Sequence, residues 1–193
     1  GLFFRPGNAV EVRDTYQYIQ EISKVPLLTT ANLEDGGNGA AFEATAYGRQ
    51  MAIAAANDPK FAYTLGEIAA KDGKAVGVNW GFSPVIDLDF NFRNPITNVR
   101  TYGSDIDTVI SNAKAYTKAF HDQHVMTSIK HFPGDGADER DQHLLTSVNH
   151  LSMPAWEKTF GLVYKELIDF GTKAVMVGHI ALPAFTVSRG DVV

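Results

Sequence analysis

Cysteine is missing from all 193 residues of the chain. That excludes disulfides and thiolate metal sites and leaves the compartment open, cytoplasmic or exported. No uninterrupted apolar run approaches the roughly 18 residues that a membrane-spanning helix needs. Basic blocks are lacking too: 17 Lys and Arg stand against 22 Asp and Glu, for a net charge of −5. Nucleic acid is therefore not expected as a partner. No low-complexity segment and no internal repeat beyond a strand–helix unit is visible. The chain opens Gly1-Leu2-Phe3-Phe4, without an initiator Met or a signal-peptide pattern, and closes Gly190-Asp191-Val192-Val193 without a helix or cap. It reads as part of a longer protein. What is present is 45% hydrophobic and 20% charged, a balance that supports one domain with a sizeable core, or most of a larger one.

Apolar runs and amphipathic stretches alternate along the chain. Leu2-Phe3-Phe4, closed by Pro6-Gly7, predicts a strand, and residues 10–24 carry Val12, Tyr16, Ile19 and Ile22 at helical spacing. Residues 27–31 predict a second strand, followed by the polar, glycine-rich run Glu34-Asp35-Gly36-Gly37-Asn38-Gly39. Asp58 as N-cap and Pro59 in the first turn start a helix that runs to about Ala75. Residues 76–80 predict a third strand, and a long polar loop follows from Gly81 to Gly103. Ser104 or Asp105 caps the next helix, and residues 125–129 form a fourth strand. Ser152-Met153-Pro154 opens a single helix to Phe170, ended by Gly171, and residues 174–178 form a fifth strand with His179 just beyond it. Strands apolar on both faces, separated by amphipathic helices, imply an α/β fold with a parallel sheet. Every polar, glycine-bearing loop follows a strand, whereas the loops after helices are short and plain. A (β/α)₈ barrel has this asymmetry, and a doubly wound open sheet shares it.

The densest chemistry follows the fourth strand, in Lys130-His131-Phe132-Pro133-Gly134-Asp135-Gly136-Ala137-Asp138-Glu139-Arg140-Asp141-Gln142-His143. Asp141 and His143 are two residues apart, so in extended backbone both side chains point the same way. A carboxylate beside the imidazole would fix its tautomer and favour the protonated ring, making His143 a proton donor. The alternative is a solvated loop in which the pairing is incidental. Lys130 and His131, as neighbours on a strand, are expected to face opposite sides, one to hold a ligand hydroxyl and one to brace the loop. A lysine that merely marks a strand end is the competing reading. Arg100 is a forked donor suited to several ligand oxygens, or else one half of a surface ion pair.

Other patterns fail on inspection. Asp87-x-Asp89-x-Asn91 begins like a calcium loop, but Phe92 and Arg93 stand where glycine should follow. His121 and His124 share helical spacing without a third ligand nearby. Gly36-Gly37-Asn38-Gly39 lacks a phosphate-loop lysine. No cofactor or metal is implied. Trp80 and Trp156 are better placed in the core than against a sugar.

Lys130-His131-Phe132-Pro133-Gly134-x-Gly136, followed by Asp141-x-His143, resembles the pattern K-H-F-P-G-H-G…D-S-H of glycoside hydrolase family 3, in its bacterial β-N-acetylglucosaminidase branch (the NagZ type). Further matches include Leu2-Phe3-Phe4-Arg5, Asp58-Pro59, residues 82–87, Arg93-Asn94-Pro95, Arg100-Thr101-Tyr102-Gly103 and residues 174–179. The resemblance implies that residues 1–193 are part of a single N-terminal catalytic barrel domain. Its fold would be a TIM-type (β/α)₈ barrel, present as an incomplete stretch of about five βα units. It implies a retaining β-N-acetylhexosaminidase that removes terminal β-linked N-acetylglucosamine, with cell-wall fragments among its substrates. His143 would be the acid/base, Asp141 its dyad partner, and Arg100, Lys130 and His131 sugar-binding. The nucleophile would be an aspartate on a later strand, and Asp191 does not sit in that motif. The chain departs from the family where Leu33 and Ala41 replace a sugar-contacting Asp and Arg, with Glu34 or Asp35 the substitute acidic contact. Asp135 replaces a histidine. A glycoside phosphorylase and a non-catalytic sugar-binding module are the alternatives.

Overall fold

The computed structural model describes residues 1–186. Five strands, all parallel, form one curled sheet. They are β1 (Leu2–Phe3), β2 (Thr29–Ala31), β3 (Trp80–Gly81), β4 (Met126–Phe132) and β6 (Ala174–Val177), adjacent in that order. A separate parallel pair joins β5 (Ser147–Val148) to β7 (Ile180–Ala181). The sheet and its helices make an incomplete TIM-type barrel, as the resemblance implies; the strand–helix rhythm alone is shared with a doubly wound sheet. Asp191 and the chain's last residues lie outside the described part.

Four long helices cover the sheet: α1 (Ala9–Ile22), α3 (Lys60–Ala75), α4 (Ile106–Asp122) and α6 (Phe160–Phe170). The short helices α2 (Gln50–Ala55) and α5 (Met153–Glu157) sit between them in the chain. Each long helix turns one apolar stripe to the core, Val12 and Tyr16 from α1, Leu65 and Ala69 from α3, Val109 and Phe120 from α4, Val163 and Leu167 from α6. The α3–α4 contact is close because Gly66 has no side chain. A Cβ there would meet the Tyr116 carbonyl oxygen at 2.7 Å.

Buried hydroxyls and amides tie the helices to the strand ends, as unpaired polar groups in the core would be costly. Tyr16 Oη donates to the Thr30 carbonyl at 2.8 Å, fixing α1 beneath β2. Gln50 stands in for a strand: its amide donates to the Val85 carbonyl and accepts from the Val85 N–H, which holds the loop after β3 against the barrel.

The structure corrects the expected elements at three places. Residues 76–78 are not strand but the turn that closes α3, where Gly77 adopts φ +93° and the Val78 N–H bonds back to the Gly73 carbonyl. The helix over 153–170 is broken into α5 and α6 around Lys158 and Thr159. And β4 continues through Lys130 and His131, which therefore belong to the strand rather than to the loop. Of the strands, β2 is buried throughout, whereas Phe3 on β1 and Val175 and Val177 on β6 are exposed. In the described sheet β1 and β6 each have a neighbour on one side only.

Candidate active site

The loops that follow β2, β3, β4 and β6 meet at one rim of the sheet. Directly after β2, Tyr116 on α4 reaches across to donate to the Leu33 carbonyl at 2.7 Å, while Ser83 after β3 bonds the same hydroxyl at 2.7 Å. This fixes the turn so that Leu33 enters the core and Glu34 faces the rim. The Glu34 carboxylate takes a two-pronged contact from Arg100, Nε to Oε2 and Nη2 to Oε1, both 2.8 Å. Lys130 Nζ approaches the same Oε1 at 2.6 Å and also donates to Asn32 Oδ1 at 3.2 Å. Burial raises the Glu34 pKa, but the Arg100 hydrogen bonds and the charges of both cations outweigh it and hold the group at about 2. Lys130, 2% exposed, is pushed below its ordinary value by burial, which the charge of Glu34 opposes.

The reading of Lys130 as a strand-end marker fails, because a buried ammonium needs partners and this one has two. The opposite-face expectation for Lys130 and His131 fails as well. The register of β4 against β6 shifts between Lys130 and Phe132, and both residues line the same cavity. Such irregularities re-aim side chains. The fully buried Asp87 anchors this point: its Oδ1 accepts the His131 backbone N–H at 3.0 Å and its Oδ2 pairs with His131 Nδ1 at 2.7 Å. The ring proton is therefore on Nδ1, facing Asp87.

Beyond β4 the loop is polar, and hydrogen bonds between its own groups and the neighbouring loops tie it down. Gly136 takes φ +99°, with the Leu88 carbonyl where a Cβ would sit. Asn94 donates from one amide to Asp135 Oδ1 and the Asp138 carbonyl, and Asp138 Oδ2 accepts the Val148 N–H. Gln142 donates to Asp135 Oδ2 at 2.6 Å and accepts the His179 N–H. Buried polar groups serve as anchors where apolar ones are lacking. At the tip, His143 Nδ1 lies 2.7 Å from Asp141 Oδ1, and the same oxygen accepts the His143 N–H. These bonds from the His143 backbone and ring hold Asp141 below its ordinary pKa.

Arg100, Lys130, His131 and His143 line one cavity of about 300 Å³, together with Phe3, Phe82, Gln142 and His179. Asp141 stands beside His143, outside the lining. Glu34 lines a neighbouring cavity of about 270 Å³, which shares Asn32 and Arg100 with the first. Trp156 is buried, with its indole N–H on the Pro133 carbonyl.

The family model for the glycosyl hydrolase family 3 N terminal domain matches residues 6–191. The chain belongs to glycosyl hydrolase family 3. It is 46% identical over 186 residues, 96% of its length, to a protein of Cellulomonas fimi named β-N-acetylglucosaminidase/β-glucosidase. Among solved structures it is similar to the β-glucoside phosphorylase BglX, with TM-score 0.93 and 48% identity over 94% of the chain. A family 3 β-N-acetylglucosaminidase from Paenibacillus superposes with TM-score 0.89 and 27% identity over 95% of the chain. The chain spans about a third of the first two proteins and 38% of the third.

Two positions where the chain departs from the family 3 pattern are explained by the packing. Leu33 and Ala41 are both fully buried and packed in the hydrophobic core. Of the substitute carboxylates, Glu34 points to Arg100 and Lys130, while Asp35 pairs with Arg49 at 2.8 Å. Sequence reasoning missed Asn32, Asp87 and Gln142 as rim residues. Position directly after β2 points to Asn32, and Asp87 stands in the sequence as part of a failed calcium pattern and of the matched run 82–87. Among the described residues, no three His, Cys, Asp or Glu side chains are grouped to hold a metal ion, and no helix is long and apolar enough to cross a membrane.

Proposed function

We propose that this chain supplies the acid/base and sugar-binding half of a retaining glycosidase site that releases terminal β-linked N-acetylglucosamine. One observation carries the reading: an imidazole hydrogen-bonded to a carboxylate at 2.7 Å stands at the mouth of a cavity lined by Arg100, Lys130 and His131. With Nδ1 turned to Asp141, Nε2 of His143 is the atom that protonates the departing glycosidic oxygen and later takes the proton of the incoming nucleophile. Arg100, Lys130, His131 and Glu34 hold the sugar hydroxyls. The attacking aspartate belongs to a later part of the protein.

Phosphorolysis is the second reading. Among the described residues no carboxylate lines the cavity that holds His143, whose ionisable residues there are Arg100, Lys130, His131, His143 and His179. An incoming phosphate would meet cations and imidazoles there, not the like charge that a carboxylic acid/base presents once ionised. The similarity to a β-glucoside phosphorylase supports the same reading.

The test is cleavage of p-nitrophenyl β-GlcNAc and β-glucoside by the full-length protein, with and without phosphate. A preference for GlcNAc supports the first proposal, and sugar 1-phosphate as the product supports phosphorolysis. Binding without turnover of either glycoside would reduce the protein to a sugar-binding module.

A further inference from the structure

We propose that Asp135 and Gln142 form a latch that positions the Asp141–His143 dyad at the cavity; the inference rests on the acid/base reading of His143. The latch has two ends. Asp135 is 1% exposed and fixed to the frame of the barrel: its N–H donates to Asp87 Oδ1 at 2.8 Å, and its Oδ1 accepts from Asn94 Nδ2 at 2.8 Å and from the Gly136 N–H at 2.7 Å. Its other oxygen, Oδ2, accepts from Gln142 Nε2 at 2.6 Å. Gln142 is itself buried, and its Oε1 accepts the His179 N–H at 3.0 Å just past β6.

Gln142 therefore bridges the ends of two strands, β4 through Asp135 and β6 through His179. It is also the residue between Asp141 and His143. Those two side chains are 29% and 63% exposed, and the contacts between them are with each other. The dyad has internal order from its own pair of bonds, but its place relative to Lys130 and Arg100 is set by the buried amide between its members. At 2.6 Å the bond from that amide to Asp135 is shorter than an ordinary N–H···O contact. Because proton transfer demands heavy-atom reach to the leaving oxygen, a displacement of about 1 Å at this point costs about a hundredfold in rate.

The donor–acceptor pattern can be inverted, which separates positioning from general support of the fold. In D135N the new amide nitrogen faces the Gln142 amide nitrogen, donor against donor. In Q142E two carboxylates face each other. In the double variant D135N/Q142E the new amide donates to the new carboxylate, which still accepts the His179 N–H, and the latch is restored with the total charge unchanged.

The experiment uses the full-length enzyme with one alkyl and one activated aryl glycoside, and hydrogen exchange over residues 138–145. Each single variant should lose about tenfold to a hundredfold in kcat/KM on the alkyl glycoside, with little change on the aryl one. Exchange in the loop should rise by more than any fall in melting temperature accounts for, and D135N/Q142E should recover both kcat/KM and exchange. No recovery in the double variant, or equal losses on both substrates, overturns the latch. His143→Ala serves as the control. If it shows the leaving-group dependence and the single latch variants do not, the latch falls and the acid/base reading stands. If His143→Ala lowers both substrates equally, the acid/base reading has failed and takes the positioning role with it.

Discussion

Glu34 Oε1 lies 2.6 Å from Lys130 Nζ and 2.8 Å from Arg100 Nη2, so one buried carboxylate answers two cations. The cluster keeps a net positive charge, and its cations face the cavity that contains His143 while the carboxylate lines the neighbouring one. Taking these charges out of water is costly, and the cost is offset only while every partner is present. Stability and ligand binding are thus written into the same three side chains, and the predictions below separate them.

Acid should weaken the fold through Glu34. Its folded pKa is about 2 against an ordinary 4.5. Between those values the unfolded chain binds the proton and the folded one does not, so stability rises with pH across that window. The contribution, on the order of 3 kcal/mol, is complete above the unfolded value and is lost as pH falls through the folded one. Urea denaturation from about pH 2 to about pH 7 should show this slope in the parent and a shallower one in Glu34→Gln. At neutral pH that variant should be less stable by about 3–5 kcal/mol, since it leaves two cations underpaired. Equal slopes in parent and variant would remove Glu34 as the source.

Lys130→Ala should weaken binding of a GlcNAc-derived inhibitor by roughly 1–3 kcal/mol for each sugar hydroxyl left unpaired. Glu34 keeps its two bonds to Arg100 in this variant, so the fold should survive well enough for calorimetry. Unchanged inhibitor affinity in a folded Lys130→Ala protein would take the lysine out of the site.

Much of this rim was legible because its residues are contiguous. Lys130, His131, Asp141 and His143 fall in one stretch after an apolar run, and chain order alone puts that stretch at the sheet's C-terminal edge. The anchors were not legible, because each is a pair of polar residues far apart in sequence: Asn94 with Asp135, Asp87 with His131, Gln50 with Val85. Polarity in a loop reads as solvation until such a partner is known. Asp135, visible in the sequence only as a departure, proves to be the residue on which the loop is hung. The resemblance left Glu34 and Asp35 both open as the acidic contact beside Leu33, and what turns Glu34 to the rim is a tyrosine on α4 bonding the Leu33 carbonyl. The third strand was misplaced because Val76 and Val78 look alike in a strand and in a buried helix end.

Asp87→Asn tests the bracing of His131. The variant keeps an oxygen for the two backbone N–H groups, but its amide nitrogen would face the ring nitrogen that now carries the proton. The proton on Nδ1 would then face a donor, which favours the tautomer with the proton on Nε2. Nitrogen NMR of labelled histidine should report the tautomer change, accompanied by a fall of about tenfold to a hundredfold in kcat/KM. A variant with the original tautomer and full activity would show that Asp87 serves only the loop.

The acid/base assignment is tested by leaving-group chemistry. An alkoxide is a poor leaving group and needs a proton as the glycosidic bond breaks, whereas an activated phenolate departs without one. General acid catalysis contributes about 10²–10⁴-fold, so His143→Ala should lose on that order with alkyl glycosides and far less with activated aryl ones. Asp141→Ala should give a weaker version of the same pattern, because it removes the acceptor on Nδ1 but leaves the imidazole in place. The pattern should persist when the incoming group is phosphate, since the first step is shared by hydrolysis and phosphorolysis. Equal losses on both classes of substrate would mean that His143 binds or supports the loop without transferring protons, and the acid/base would have to be sought among the other residues of the rim.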